Sequence, residues 1–189
     1  MALLAKSRAT SSYPEIEETL LSGREIARRV KALAREISGD YKGRSPVLAG
    51  VLKGSFVFLA DLIRNIKIPV ELDFMSLSSY AGDSSTGMVK LSSDTKLDLR
   101  GRHVILVDDI VDTGFSLAWA RKHLLTKEPA SLEVCVLLDK PPRRKVFVPV
   151  RYTGFTIADR FVVGYGLDYN ERFRELPYIG ALTPESLQP

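Results

Sequence analysis

Val104-Ile105-Leu106-Val107-Asp108-Asp109-Ile110-Val111-Asp112-Thr113-Gly114-Phe115-Ser116 is the stretch from which the architecture of this chain can be read. It opens with four consecutive apolar residues, three of them β-branched. Such a run reads as a strand buried on both faces of a parallel sheet. Two adjacent carboxylates stand where that strand is expected to end, followed by a short turn with a third carboxylate, a hydroxyl and a glycine. From Phe115 the pattern becomes helical. A strand-turn-helix junction is a natural phosphate site, because the first N–H groups of a helix point outward and carry partial positive charge. Asp108, Asp109 and Asp112 would repel a bare phosphate. The conflict disappears if the ligand carries a sugar as well, whose vicinal hydroxyls donate to carboxylates while the Thr-Gly turn holds the phosphate. The stretch therefore asks for a ribose phosphate, with a metal ion nearby to offset charge.

Two further junctions repeat the arrangement. Pro46 to Leu52 reads as a strand that runs into Lys53-Gly54-Ser55, and Phe56 to Asn65 reads as an apolar helix. A lysine in such a turn can neutralise phosphate oxygens, and a glycine lets the backbone approach them. Leu132 to Leu138 is another apolar strand, which ends in Asp139-Lys140-Pro141-Pro142 and the basic triplet Arg143-Arg144-Lys145. Lys140 thus stands at the C-terminal edge of a strand, the edge at which open parallel sheets bind ligands. The triplet reads as a solvated loop or subunit contact.

The remaining chain frames these junctions. Ile16 to Leu21 reads as a short strand. Ser22 and Glu25 have capping-box spacing, and the helix they start puts Ile26, Val30, Leu33, Ala34 and Ile37 on one face, with a solvated basic face opposite. Pro69 to Leu77 alternates as a strand with Val70, Leu72 and Phe74 on one side and Glu71 and Asp73 on the other. Residues 78–88 have the composition of a loop, with Ser79 and Tyr80 at the tip of a candidate lid. Val89 to Ser93 returns as a strand. Phe115 to Lys127 is expected to be a helix with Leu117, Ala118, Leu124 and Leu125 in the core and Pro129 as its stop. Phe155–Ile157, Phe161–Gly164 and the end of 176–182 read as short strands, while 164–174 is too polar and glycine-rich for a core element. The strand–helix alternation predicts an α/β fold with a parallel sheet flanked by helices. One domain is expected over 14–189, with its core at about 22–140, a small hood from about 14–21 and 141–182, and residues 1–13 as a flexible extension.

Composition narrows the functional classes. With 27 basic and 23 acidic residues, the 189-residue chain has a net charge of +4. This suits anionic small substrates, since no long basic block suggests nucleic acid. Cys135 is the single cysteine. It has no internal disulfide partner and points to a reducing, cytoplasmic setting. The chain has no apolar run of about 18 residues, as a spanning helix requires, and no secretory leader is expected.

At this point the chain resembles the purine phosphoribosyltransferase family, in its 6-oxopurine (hypoxanthine-guanine) branch, over roughly residues 15 to 182. Val107-Asp108-Asp109-Ile110-Val111-Asp112-Thr113-Gly114 is similar to the family's phosphoribosyl-diphosphate signature. Phe161-Val162-Val163-Gly164-Tyr165-Gly166-Leu167-Asp168-Tyr169 is similar to the segment that separates the 6-oxopurine branch from the pyrimidine and adenine branches. Leu52-Lys53-Gly54-Ser55 and Leu176-Pro177-Tyr178-Ile179-Gly180 support both. The resemblance implies a type I phosphoribosyltransferase fold and Mg²⁺-dependent transfer of phosphoribose from 5-phosphoribosyl 1-diphosphate (PRPP) to hypoxanthine or guanine. No nucleic-acid or membrane partner is implied, and the assembly would be a homodimer or homotetramer.

It also implies roles for residues. Asp108 and Asp109 would hold the ribose hydroxyls, partly through Mg²⁺, and Asp168 would contact the metal or its water. The 112–116 turn (Asp112, Thr113, Gly114, Phe115, Ser116) would grip the 5′-phosphate. Lys53, Gly54 and Arg174 would meet the diphosphate. Phe161 would stack on the base, the Val162 backbone would meet its far edge, Lys140 would donate to the 6-oxo oxygen, and Asp112 would take the N7 proton. The lid led by Ser79 and Tyr80 would exclude water. Two departures from the usual pattern are Phe115 and Ser116, the latter keeping the hydroxyl of the commoner threonine. Two other readings remain open from the sequence: an RNA-binding regulator built on the same fold, and a transferase for xanthine or a pyrimidine.

Overall fold

The computed structural model describes residues 13–79 and 89–187. Its main sheet has six strands in the order β4-β3-β2-β5-β6-β7. They are β2 (Val47–Leu52), β3 (Glu71–Ser79), β4 (Val89–Ser93), β5 (His103–Val111), β6 (Ser131–Asp139) and β7 (Tyr152–Thr156). All neighbouring pairs are parallel except β3–β4, which is antiparallel. Helices α1 (Gly23–Asp40) and α2 (Phe56–Asn65) cover one face, and α3 (Phe115–Leu125) covers the other.

The core follows from strand alternation. Along β5, Ile105 and Val107 join the cluster built by Ile26, Val30, Leu33, Phe58 and Leu62 of α1 and α2. Val104 and Leu106 join Leu117, Ala120 and Leu124 of α3. A strand apolar on both faces is thereby the centre of a three-layer sandwich. The capping box is present, with Ser22 and Glu25 bonding each other's backbone amides. All five residues expected on the inner face of α1 are buried.

A second, three-stranded antiparallel sheet stands apart, in the order β1-β9-β8, from β1 (Ile16–Leu21), β9 (Ile179–Leu182) and β8 (Val162–Val163). Its own small core contains Ile16, Val163, Phe173, Leu176 and Leu182. This sheet, the hood, joins β1 to strands near the other end of the described chain.

Several expectations need correction. The strand of the opening stretch does not stop at the carboxylates: β5 runs through Asp108 and Asp109 to Val111, paired with β6 as far as Asp139. Parallel pairing to the long β6 carries it past the polar residues. β7 belongs to the main sheet although it lies beyond residue 140, so the hood's C-terminal part begins after Thr156. On β3 the faces are reversed: Asp73 and Met75 are buried, whereas Leu72 and Phe74 are each 38% exposed. Asp73 is tolerated inside because its carboxylate accepts the Lys96 and Leu97 amides, both at 2.7 Å. Helix α3 stops at Leu125, which is 43% exposed, and Ala120 takes the core position assigned to it. The 164–174 segment forms no regular element, yet it buries Tyr165, Leu167 and Phe173. Tyr13 is not loose, since its ring packs edge-on against Phe173 at 5.6 Å.

Candidate active site

Every expected site residue in the described chain lies at or beyond the C-terminal edge of the main sheet or in the hood segment above it. Asp112 follows β5 directly, and Gly114 caps α3 in the left-handed region at φ +90°. Glycine tolerates that conformation at little cost. A side chain there would also meet the Val146 carbonyl at 2.5 Å. The turn is held from outside: the Thr113 carbonyl accepts the Lys145 and Val146 amides at 2.9 and 3.1 Å. Asp108 to Gly114, Ser116 and Leu117 line a cavity of about 250 Å³. Phe115 is the first residue of α3 and lies outside this lining.

A second cavity of about 200 Å³ is lined by Asp109, Ile110, Asp112, Lys140, Phe161, Val162, Leu167 and Asp168. Asp109, Ile110 and Asp112 line both cavities. One is thus built on a helix start, as an anion requires. The other has an aromatic wall, a lysine and a carboxylate. Phe161 is 42% exposed and is braced edge-on by Tyr169 at 5.3 Å. The Lys140 amide donates to the Val111 carbonyl at 3.0 Å, which fixes the lysine beside the end of β5. Lys140 is 6% exposed, with its ammonium 3.9 Å from Asp112 and 3.8 Å from Asp159. Both separations exceed hydrogen-bond length. Asp112 Oδ1 is buried and has no hydrogen-bond partner. A donor and an acceptor therefore face one space without a hydrogen bond between them, and such groups are costly to bury unless a ligand satisfies them.

The acidic pair is held by its own backbone. Asp108 accepts the Asp109 amide and Asp109 accepts the Ile110 amide, both at 3.0 Å. Burial pushes the Asp108 carboxyl well above the usual range, and the neighbouring Asp109 adds to the rise. Gly54 packs against this pair: a side chain there would start 1.8 Å from Asp109 Oδ2. The Gly54 carbonyl in turn lies 2.2 Å from where a side chain on Gly166 would begin. The glycines at 54 and 166 thus bring the Lys53 turn, the β5 carboxylates and the hood segment into contact. The Leu52–Lys53 peptide is cis.

The expected diphosphate cations lie together. Arg174 bonds Asp168 at 2.8 Å, Glu171 at 3.3 Å and the Gly166 carbonyl at 2.8 Å. Lys53 bonds Glu171 at 3.1 Å. Glu171, which sequence reasoning did not single out, engages both cations; its position three residues before Arg174 was the available signal. The basic triplet is also more than a solvated loop. Arg143 Nε lies 3.3 Å from Asp112, and Arg144 pairs with Asp139. Of the lid pair, Ser79 ends β3, while Tyr80 lies outside the described residues. Among the described residues no helix is long and apolar enough to cross a membrane.

A parallel sheet whose C-terminal edge carries a glycine-started helix, an acidic pair and a cavity walled by an aromatic ring and a lysine is the arrangement expected of a phosphoribosyltransferase. Comparison with known proteins agrees. The phosphoribosyl transferase domain family matches residues 17–170. A hypoxanthine phosphoribosyltransferase of Salmonella typhimurium is 49% identical over 166 residues, covering 86% of this chain and 93% of that protein. A hypoxanthine-guanine phosphoribosyltransferase of Streptococcus pneumoniae is 45% identical, covering 90% and 96%. The crystal structure of a Bacillus anthracis hypoxanthine-guanine phosphoribosyltransferase superposes with a TM-score of 0.86 at 46% identity, covering 89% of this chain and all of that one. The chain belongs to the phosphoribosyltransferase family, in its hypoxanthine(-guanine) branch.

Proposed function

We propose that the chain transfers the phosphoribosyl group of PRPP to N9 of hypoxanthine or guanine, giving IMP or GMP and diphosphate in purine salvage. The observation that carries this reading is the Lys140 ammonium standing 3.9 Å from Asp112 Oδ2, beside that carboxylate but beyond hydrogen-bond length from it. A 6-oxopurine presents a carbonyl oxygen next to its N7–H, which matches a donor beside an acceptor. Adenine presents an amine to Lys140, donor against donor, so the same pair disfavours it.

In this reading Phe161 stacks on the base and the Val162 backbone meets its far edge. The Asp112–Ser116 turn grips the 5′-phosphate, with Phe115 packing at the start of α3. Asp108 and Asp109 hold the ribose hydroxyls. As the N9–C1 bond forms and the C1–diphosphate bond breaks, the N7 proton passes to Asp112. Lys53, the Gly54 backbone and Arg174 receive the diphosphate, which displaces Glu171 from the two cations. The lid led by Ser79 and Tyr80 keeps water from the activated ribose.

Mg²⁺ belongs to the same proposal. Among the described residues no three His, Cys, Asp or Glu side chains are grouped to hold a metal. Magnesium instead takes one or two carboxylates together with substrate oxygens, and Asp109 and Asp168 share a cavity that allows this, with Asp108 adjoining. When bound, it neutralises the departing diphosphate. A cytoplasmic setting is also part of the reading, in keeping with a thiol, Cys135, that the fold buries whole. So is a homodimer or homotetramer, supported by the exposed Phe56, Leu72 and Phe74 on α2 and β3.

Steady-state kinetics of Lys140→Ala, with each substrate varied in turn, tests the base contact. The KM for hypoxanthine rises by roughly ten- to a hundredfold, the value of a charged hydrogen bond, while the KM for PRPP stays unchanged. Equal losses for both substrates contradict the reading.

A further inference from the structure

Four charges meet at the mouth of the purine-side cavity, and two of them have no role so far. Lys140 Nζ lies 3.9 Å from Asp112 Oδ2 and 3.8 Å from Asp159 Oδ1. Arg143 Nε lies 3.3 Å from Asp112 Oδ1 and 3.9 Å from Asp159 Oδ1. The signs alternate around a closed ring of two cations and two anions. Its members come from three pieces of chain: the turn after β5, the short helical turn Pro141–Arg143 after β6, and the loop that leads into Phe161. That loop is tied to the hood, since Arg160 pairs with Glu17 of β1.

We propose that Arg143 and Asp159 are positioning residues for purine capture, holding Lys140 and Asp112 apart so that the Lys140 ammonium stays free to donate and Asp112 Oδ2, the oxygen turned away from Arg143, to accept. The inference rests on the purine reading given above. An isolated lysine and aspartate this close would close to a direct ion pair of about 2.8 Å. Such a pair would use the very donor and acceptor that the base needs. In the ring Asp159 draws Lys140 away from Asp112 from almost the same distance, and Arg143 draws Asp112 away from Lys140. The ring is also neutral, which limits the cost of placing the nearly buried Lys140 charge there.

The test is the split between the two substrates in Asp159→Asn, Arg143→Gln and Arg143→Lys, with Lys140→Ala as reference. Removing either partner lets Lys140 and Asp112 close on each other. Asp159→Asn and Arg143→Gln should each lower kcat/KM for hypoxanthine roughly tenfold, the scale of one charge-assisted hydrogen bond. The KM for PRPP should stay within about twofold, since the phosphate turn is untouched, and Arg143→Lys, which keeps the charge, should recover most of the loss. Both side chains are about half exposed, at 50% and 49%, so the Tm of these near-isosteric variants should stay at the wild-type value. If Arg143→Gln fails to fold, Asp159→Asn decides alone. Hypoxanthine kcat/KM within about twofold of wild type overturns the proposal, as does a loss in only one of the two folded variants or an equal rise in the KM for PRPP. If Lys140→Ala is harmless as well, the purine reading itself has failed. If Lys140→Ala is damaging and the other variants are not, only the ring has.

Discussion

Asp112 leaves β5 one residue past its end, and its two carboxylate oxygens face different cations, Arg143 at 3.3 Å and Lys140 at 3.9 Å. In the proposed reaction a base so placed is needed only when the purine loses its N7 proton. Asp112→Asn should therefore lower kcat by roughly 10²- to 10⁴-fold, the usual yield of general-base catalysis, with Tm unchanged. Near-normal turnover would remove Asp112 from the chemistry. Gly54 is fixed by a close packing contact. Because its missing side chain leaves room for the Asp109 carboxylate, Gly54→Ala should push that carboxylate aside. The KM for PRPP should then rise while the Phe161–Lys140 pocket is left in place. A KM for PRPP equal to wild type would show that Asp109 has no part in holding the donor. The sequence indicated a glycine beside a lysine, but no local pattern says that this glycine touches a carboxylate more than fifty positions away. That contact depends on the neighbouring, parallel placement of β2 and β5.

Among the elements, α3 shows best what the sequence could and could not convey. Its start at Phe115 was readable from the Thr-Gly turn, and the glycine at φ +90° confirms why that residue stands there. Its end was not, because the helix stops at Leu125, ahead of the proline that suggested a boundary. That end of the helix is held by a tertiary cluster in which Asp94, in the β4–β5 connection, binds His123 at 2.9 Å and Lys127 at 2.7 Å. Trp119 stacks on His123 at 5.2 Å. Burial alone would raise the Asp94 carboxyl, but hydrogen bonds from Lys127, His123 and the Thr95 amide outweigh it and bring the pKa down to about 2. A folded pKa below the unfolded value contributes stability above the unfolded pKa, and that contribution disappears as pH falls through the folded one. The contribution should thus be complete above about pH 4, near the unfolded value, and be lost on the way to about 2. Asp94→Asn should lower Tm at neutral pH and flatten the fall of Tm over that acid range. An unchanged acid profile would show that the cluster does not stabilise the fold. The reversed faces of β3 teach the same lesson. Alternation gave the period of that strand, but the buried side was set by two backbone amides that Asp73 accepts.

For the molecule as a whole, the alternation of apolar strands and helices was enough to predict the parallel sheet and the ligand edge, because both follow from which residues avoid water. The sequence places a hood at the two chain ends by their exclusion from the strand–helix alternation. Its boundary was misplaced, because β7 is short and its membership in the main sheet depends on pairing with β6 rather than on its own pattern. Phe74, at 38%, and Phe56, at 45%, are exposed apolar side chains that a second copy of the chain could cover. Phe74→Glu should shift the protein toward monomer in sedimentation or light scattering, whereas an unchanged mass would clear this face of any part in assembly. In the proposed reaction the two adjoining cavities at the sheet edge unite a phosphoribosyl donor with a 6-oxopurine. The most direct measurement supplies PRPP and Mg²⁺ with hypoxanthine, guanine, xanthine, adenine or uracil in parallel, and identifies the nucleotide and diphosphate formed. The account predicts IMP from hypoxanthine or GMP from guanine, with one diphosphate per nucleotide and no product from adenine or uracil. Nucleotide from adenine or uracil in preference to the 6-oxopurines, or from no base at all, would contradict it.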